Sequence, residues 1–253
     1  MVSRGRARLS AELLDEQLAY YRARAPQYDD WWEASGSDTR PAELRAAWLT
    51  ERARLVADLE EWCAGLKGAS VLELAAGTGN LTCRAARHAG RLTAVDASPE
   101  VLAINAGKLG ADRERVELVL ADVFAWEPAA PYDAVLFGFW ISHIPDDRWD
   151  SFWSVVRRCV RPGGSIWFCD NADPELGWRA GILPRPEPRF VSGDDEIDAR
   201  TRISERTLPD GRSYRVVKRF FRPDELATRL ATYGFDATVT TTDWAFLVGR
   251  GIG

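Results

Sequence analysis

The chain has 253 residues, 46% of them apolar and 28% charged, with a formal net charge of −5. That length buries a substantial α/β core, and the acidic balance argues against a protein that coats nucleic acid. Its four cysteines, Cys63, Cys83, Cys159 and Cys169, are dispersed and form no C-x-x-C pair, so they read as reduced thiols rather than disulfides or a zinc site.

The N-terminus, MVSRGRARLS, is basic but lacks the apolar core of a signal peptide. No later run approaches the ~20 apolar residues of a membrane span, so a cytoplasmic location is expected. Ser10 suits a helix N-cap, with Leu13, Leu14, Leu18 and Tyr21 at helical spacing behind it. Pro26 ends that helix near Ala25. Tyr28-Asp29-Asp30-Trp31-Trp32 follows, and one reading is an aromatic staple that holds the helix on the body. After a polar loop at 35–41, Leu44, Trp48, Leu55, Leu59 and Trp62 recur near a 3.6 period, predicting a long amphipathic helix over 41–66. Residues 1–66 thus read as a helical cap, and 67–253 as the core.

In that core Val71, Leu72 and Leu74 form an apolar strand over 70–74, interrupted only by Glu73. It collapses into Ala75, Ala76, Gly77, Thr78 and Gly79 before a helix predicted over 80–88. A buried strand turning through glycines into a helix gathers free N–H groups and a positive dipole end at one point. Small residues there let a ligand approach the backbone. At the carboxyl end of a parallel strand this is a nucleotide-type binding turn. Dinucleotide enzymes use a similar turn, but Thr82 stands where their third glycine falls, and Glu73 suits a cationic group better than a pyrophosphate. A second strand, 92–95, ends in Asp96, whose two oxygens match a vicinal diol. Ser98 is better placed than Asp96 to cap the helix opening at Pro99.

With Asp96 downstream, VLELAAGTGN resembles motif I of the class I S-adenosylmethionine (SAM)-dependent methyltransferases, with Ala75 at the first glycine position; VDASPEVL resembles motif II. The resemblance implies a Rossmann-like α/β fold: a seven-stranded, mostly parallel sheet with an antiparallel last strand, an N-terminal helical cap and a β-hairpin insertion. It implies SAM as cofactor and S-adenosylhomocysteine (SAH) as product. Glu73 would serve the methionine end, Ala75, Gly77 and Gly79 would lie under the cofactor, and Asp96 with Ala97 would hold the ribose. After a third strand over 115–120, Asp122 and Val123 would recognise adenine, or Asp122 merely caps a turn; Trp126 is a candidate cover for the ring. YDDWW resembles a segment that closes over SAM and substrate in small-molecule members, which places Tyr28 at the cofactor; Tyr21 before it is a candidate acceptor contact. Tyr132-Asp133-Ala134-Val135 resembles the family's entry into its fourth strand, 132–137, so Phe139 (cofactor) and Trp140 (acceptor) fall at the active-site edge. A helix over 146–158 follows, then VRPGGSIWF, which resembles the turn before the fifth strand, 165–169.

The insertion, about 173–221, contains an alternating hairpin around Leu208-Pro209-Asp210-Gly211. A helix over 223–233 and a strand pair over 236–242 and 244–249 complete the chain. From 178 to 222 there are ten Arg and one Lys against seven acids. A basic and aromatic cover suits an anionic, partly hydrophobic acceptor, with Trp178, Arg179, Arg185, Arg189 and Lys218 as candidate contacts; the alternative is a solvated hairpin. Transfer from a sulfonium is an in-line displacement that needs positioning and dryness, and a neutral acceptor also needs a base. His143 after the fourth strand is either that base or a residue that fixes its loop. No metal-ligand cluster is evident. The expectation is a methyltransferase of specialised metabolism, monomeric or homodimeric, acting on a small molecule, not on nucleic acid or membrane. An NAD-dependent oxidoreductase and a SAM-binding protein that does not methylate are the alternatives.

Overall fold

The computed structural model describes residues 2–183, 196–198 and 202–253. Three helices open the chain: α1 (Val2–Arg24), α2 (Tyr28–Glu33) and α3 (Ala42–Cys63). Pro26 breaks α1 from α2 through one 3-10 turn, because proline cannot continue the α1 hydrogen bonds. Strands and helices then follow in the order β1 (Ser70–Leu74), α4 (Thr82–Ala86), β2 (Arg91–Asp96), α5 (Pro99–Lys108), β3 (Val116–Leu120), β4 (Tyr132–Gly138), α6 (Trp149–Cys159), β5 (Val160–Asn171) and α7 (Glu175–Arg179), with no α-helix between β3 and β4. A hydrogen-bonded excursion, β6 (Glu196–Asp198), β7 (Ile203–Thr207) and β8 (Ser213–Val217), precedes α8 (Pro223–Ala231), β9 (Asp236–Thr241) and β10 (Phe246–Ile252).

The main sheet runs β3-β2-β1-β4-β5-β10-β9. Its first five strands are parallel and β10 is antiparallel to both neighbours, the arrangement expected from sequence. Alternation along β1 fixes its two faces. Val71 joins one buried cluster, with Trp48, Leu55 and Leu59 of α3. Leu72 and Leu74 join another, with Phe152 and Trp153 of α6 and Leu226 of α8. The order reverses between β1 and β4, and open α/β sheets bind ligands at the carboxyl ends of the strands beside such a reversal.

Two expectations are corrected, and the hairpin is borne out. The fifth strand is longer than 165–169, because Arg161-Pro162-Gly163-Gly164 is not a free turn but an irregular bulge in β5 against β4. Gly163 sits there at φ +71°, and a side chain at Gly164 would meet the Asp133 carbonyl at 2.9 Å. The helix after β1 keeps only Thr82–Ala86 of 80–88. The hairpin forms with Gly211 at φ +86° in its turn, but in a separate three-stranded sheet, β6-β7-β8, that packs on α1.

One buried carboxylate joins α3 to the sheet. Glu51, 1% exposed, accepts hydrogen bonds from Thr242 Oγ1, Trp244 N–H and Ala245 N–H in the β9–β10 connection. Burial pushes its pKa up, but these donors and Arg54 outweigh that and hold it below the usual carboxylate value. Its stabilising effect is therefore present above the unfolded pKa and lost as pH falls through the lower folded one. Glu51→Ala leaves two buried N–H groups unpaired, so it is expected to cost about 2–4 kcal/mol. Thermal unfolding at neutral pH should show the midpoint falling by roughly 5–12 °C, and the gap between parent and variant should narrow in acid.

Candidate functional site

The site grows from the β1 turn. Ala75, Gly77 and Gly79 have φ +52°, +54° and +88°, so the chain reverses through three left-handed residues. Glycine adopts that conformation freely; Ala75 holds it at a cost of about 1 kcal/mol. Phe139, just beyond β4, is also left-handed at φ +55°, and its N–H donates to the Cys169 carbonyl. Ala75 and Phe139 both line the cavity, the setting in which strained backbone tends to be retained.

That cavity, about 220 Å³, lies between the turn and the N-terminal helices. Its lining brings together Tyr21, Tyr28, Ala75, Gly77, Asp96, Ala97, Asp122, Val123, Phe139 and Trp140, all singled out in the sequence. A smaller cavity of about 40 Å³ adjoins it through Tyr28, Ala75, Gly77 and Phe139 and reaches Glu73 and Trp32. Gly79 lines neither: a side chain there would strike the Asn105 side chain at 2.6 Å, so this glycine serves the packing of the turn on α5.

Three carboxylates mark the cavities. Asp96 accepts from Gly77 N–H and Ser98 N–H, each at 2.9 Å, and burial raises its pKa despite these bonds. Each oxygen keeps acceptor capacity for a diol. Ser98 caps α5 by accepting from Val101 N–H, as its position predicted. Asp122 caps its own turn through Oδ1, accepting from Phe124 N–H, while its side chain still borders the cavity. Phe124 lines the cavity beside it, whereas Trp126 packs on Tyr132.

Glu73 differs in kind. It is 1% exposed, its bonding partner is Thr82, and Oε2 has no hydrogen-bond partner. Burial, with a smaller push from Asp96, raises its pKa to about 8. An orphaned carboxylate oxygen beside a small cavity fits a ligand ammonium, such as the amino group at the methionine end of SAM. Asp96 and Asp122, at the far side of the same turn, fit a nucleoside.

Among the described residues, the other sequence candidates fall outside the cavity linings. His143, 5% exposed, does not line the cavity; its partner Tyr21 does. His143 Nδ1 lies 2.6 Å from the Val217 carbonyl, so Nδ1 carries the proton and donates. Nε2 then accepts from the Tyr21 hydroxyl at 2.8 Å. Burial first, then the charges of Lys218, Arg206 and Arg24, hold the His143 pKa well below its ordinary value, so the ring is neutral. Lys218, 4% exposed, donates to Ser142 Oγ and Asn171 Oδ1 and faces Asp170 at 3.6 Å. Arg179 is solvent-facing and pairs with Glu175 on α7, and Trp178 is half-buried on that helix; neither lines the cavity. Arg185 and Arg189 lie outside the described residues.

Sequence reasoning missed Arg24 and Arg206. Their guanidinium carbons lie 5.7 and 5.8 Å from the Tyr20 ring, and that of Arg24 lies 5.5 Å from the Tyr28 ring. Arg24 donates to Tyr20 Oη, and among the described residues no carboxylate forms an ion pair with it. For Arg24 the available signal was local: Tyr20 and Arg24 stand four apart on one helix.

Residues 71–164 match the family model described as a methyltransferase domain. A ubiquinone biosynthesis O-methyltransferase of Acinetobacter baumannii (strain ACICU) is 30% identical over 173 residues, 63% of this chain and 64% of that protein. The chain thus spans about 64% of the length of that curated relative. Among solved structures, a DhpI–SAM–HEP complex is 36% identical with a TM-score of 0.68, covering 94% of this chain and 97% of that one. A Burkholderia thailandensis 1,6-didemethyltoxoflavin-N1-methyltransferase, with 1,6-didemethyltoxoflavin and SAH bound, is 21% identical over 96% of this chain and 89% of that one, and at a TM-score of 0.57 shares the fold.

The raised Glu73 pKa makes a proton-linkage prediction. In the free protein Glu73 holds its proton up to about pH 8, so folding loses stability as pH rises from about 4.5 to 8. A ligand ammonium favours the carboxylate, so SAH binding near pH 7 should release up to one proton, and affinity should rise toward pH 8. Calorimetry in buffers of different ionisation enthalpy measures that release. Glu73→Gln should bind SAH more weakly and without proton release; an unchanged proton count in that variant would remove Glu73 from the ligand's amino group.

Proposed function

The chain belongs to the class I SAM-dependent methyltransferases, and from that premise we propose that it transfers the SAM methyl group to an oxygen of a small, anionic and partly hydrophobic molecule of biosynthesis. When bound, SAM supplies a methyl carbon on a sulfonium, taken in line by an acceptor lone pair as the carbon–sulfur electrons return to sulfur and SAH is left. The NAD alternative falls with the family assignment.

The residues divide the work. Glu73 would hold the amino group, Asp96 the ribose and Asp122 the adenine, with Ala75, Gly77 and Phe139 giving close apolar walls. Tyr28, shared by both cavities, would lie against the cofactor between its two ends. Tyr21, Phe139 and Trp140 would border the acceptor and exclude water, which strengthens every charge interaction inside.

The observation that carries the anionic reading is the field around His143. Three cations, Lys218, Arg206 and Arg24, act on one buried neutral ring beside the cavity. Such a field opposes formation of an imidazolium, so it argues against His143 as the base. It favours an acceptor oxygen that is already negative and has no proton to lose. His143 would then orient Tyr21, whose hydroxyl proton is committed to Nε2. Oxygen as the methylated atom is supported by the activity named for the Acinetobacter relative.

Matched acceptor pairs test this reading: a carboxylate or phosphate compound against its neutral amide or ester, scored by SAH formation. The anionic member should turn over faster. Arg24→Gln should raise its KM by about tenfold or more, the loss of one hydrogen bond to a charged group, with SAH affinity unchanged. Preference for the neutral member would overturn the anionic reading. No SAH with any acceptor, despite SAM binding, would favour a SAM-binding protein that does not methylate.

A further inference from the structure

The sequence YDDWW contributes tyrosine and tryptophan side chains to the cavity region, but neither aspartate is absorbed by the reading above. Asp30 is accounted for locally, since its carboxylate accepts from Ser37 N–H and Oγ and closes the end of α2. Asp29 points the other way, into the body. Its Oδ1 accepts from Thr78 Oγ1 at 2.8 Å and from Asn80 Nδ2 at 3.0 Å. Its Oδ2 pairs with Lys108 Nζ at 2.6 Å, and Lys108 also donates to Asn80 Oδ1 at 2.9 Å. One carboxylate from the N-terminal helices thus meets a residue inside the glycine turn, the residue after it and the last residue of α5.

We propose that Asp29 is the latch by which the N-terminal segment closes on the glycine turn, and that its release limits how fast SAM enters and SAH leaves. This rests on the main cavity being the SAM site. Three further observations support it. Tyr28, the neighbour of Asp29, lines both cavities, and Trp31 and Trp32 lie 5.4 and 5.8 Å from the Phe139 ring. Thr78 is itself a cavity residue and is 2% exposed, so the latch grips the ligand-facing turn and not a distant surface. The segment is also tied down before α2, through Arg22 to the Ala97 carbonyl and through Gln17 to the His143 carbonyl and Val217 N–H. A ligand under Tyr28 leaves only when α2 separates from the turn, and Asp29 holds that seam.

Exposed ion pairs contribute little. This one is partly shielded, with Lys108 and Asp29 side chains 29% and 31% exposed, and the same carboxylate takes two neutral donors as well. Its loss should therefore be felt mainly as a rate. The probe is SAH itself, followed by tryptophan fluorescence in stopped flow on the full chain. Asp29→Asn and Lys108→Met should each raise the SAH dissociation rate by about tenfold, equivalent to ~1.4 kcal/mol, with thermal unfolding of the free protein little changed. The double variant should be no faster than either single one, because both remove the same contact. If Asp29→Asn does not fold, Lys108→Met still carries the test. Dissociation within about twofold of the parent in these variants overturns the latch, as does a lowered unfolding midpoint with parental rates, which marks the contact as structural. Failure of the parent to bind SAH at all would instead refute the cofactor site.

Discussion

The hydrogen bond from Gly77 N–H to the Asp96 carboxylate is the contact on which the site depends. It ties the turn after β1 to the tip of β2, and it can form only because Ala75, Gly77 and Gly79 take left-handed backbone. Parallel pairing of β1 with β2 brings the two tips level. The turn then lets the N–H reach back across them. Placement of the carboxylate, exposure of the turn to a ligand and packing of Gly79 on Asn105 of α5 follow from that reversal.

Electrostatics divides the cavity region into two ends. Toward the small cavity the titrating groups are carboxylates, and Asp96 adds to the burial that raises the proton affinity of Glu73. Toward the hairpin three cations act on a neutral histidine: the buried Lys218, which faces Asp170, and the half-buried Arg24 and Arg206. A ligand that is positive at one end of the binding region and a partner that is negative at the other suit the two ends, and each is oriented by the wrongness of the reverse placement. The His143 tautomer is part of this arrangement: the Val217 carbonyl can only accept, so Nδ1 must donate and Nε2 must receive the Tyr21 proton.

Most of the sheet was legible because its signals are local. Alternation in Val71–Leu74, the glycines after it and Asp96 at a strand tip each follow from a few neighbouring residues. Ser98 capping α5 was read from a single residue for the same reason. Less of the surroundings of His143 was legible, because their charges meet only through the fold. Arg24 comes from α1, Arg206 from β7 and Lys218 from just beyond β8, and nothing in their spacing announces that they share the surroundings of His143. Counting arginines in the insertion pointed to Arg179, which the fold turns to solvent. The bulge in β5 was missed because Pro-Gly-Gly reads as a turn wherever it falls, and only pairing with β4 shows that the strand continues through it.

The small β6-β7-β8 sheet shares no hydrogen-bond ladder with the seven-stranded one. It meets the body through α1, as in Arg215 with Glu16, and through single links such as Arg219 N–H to the Ser142 carbonyl. A change of residue in a ladder strand disturbs register on both sides, whereas a change in this sheet is felt by one helix and a few side chains. Two parts of one polypeptide are therefore open to different rates of drift. Constraint on the small sheet is local, at positions such as Val217 and Arg206 that act on His143 and those that pack on α1, whereas residues 70–171 are constrained through the whole ladder.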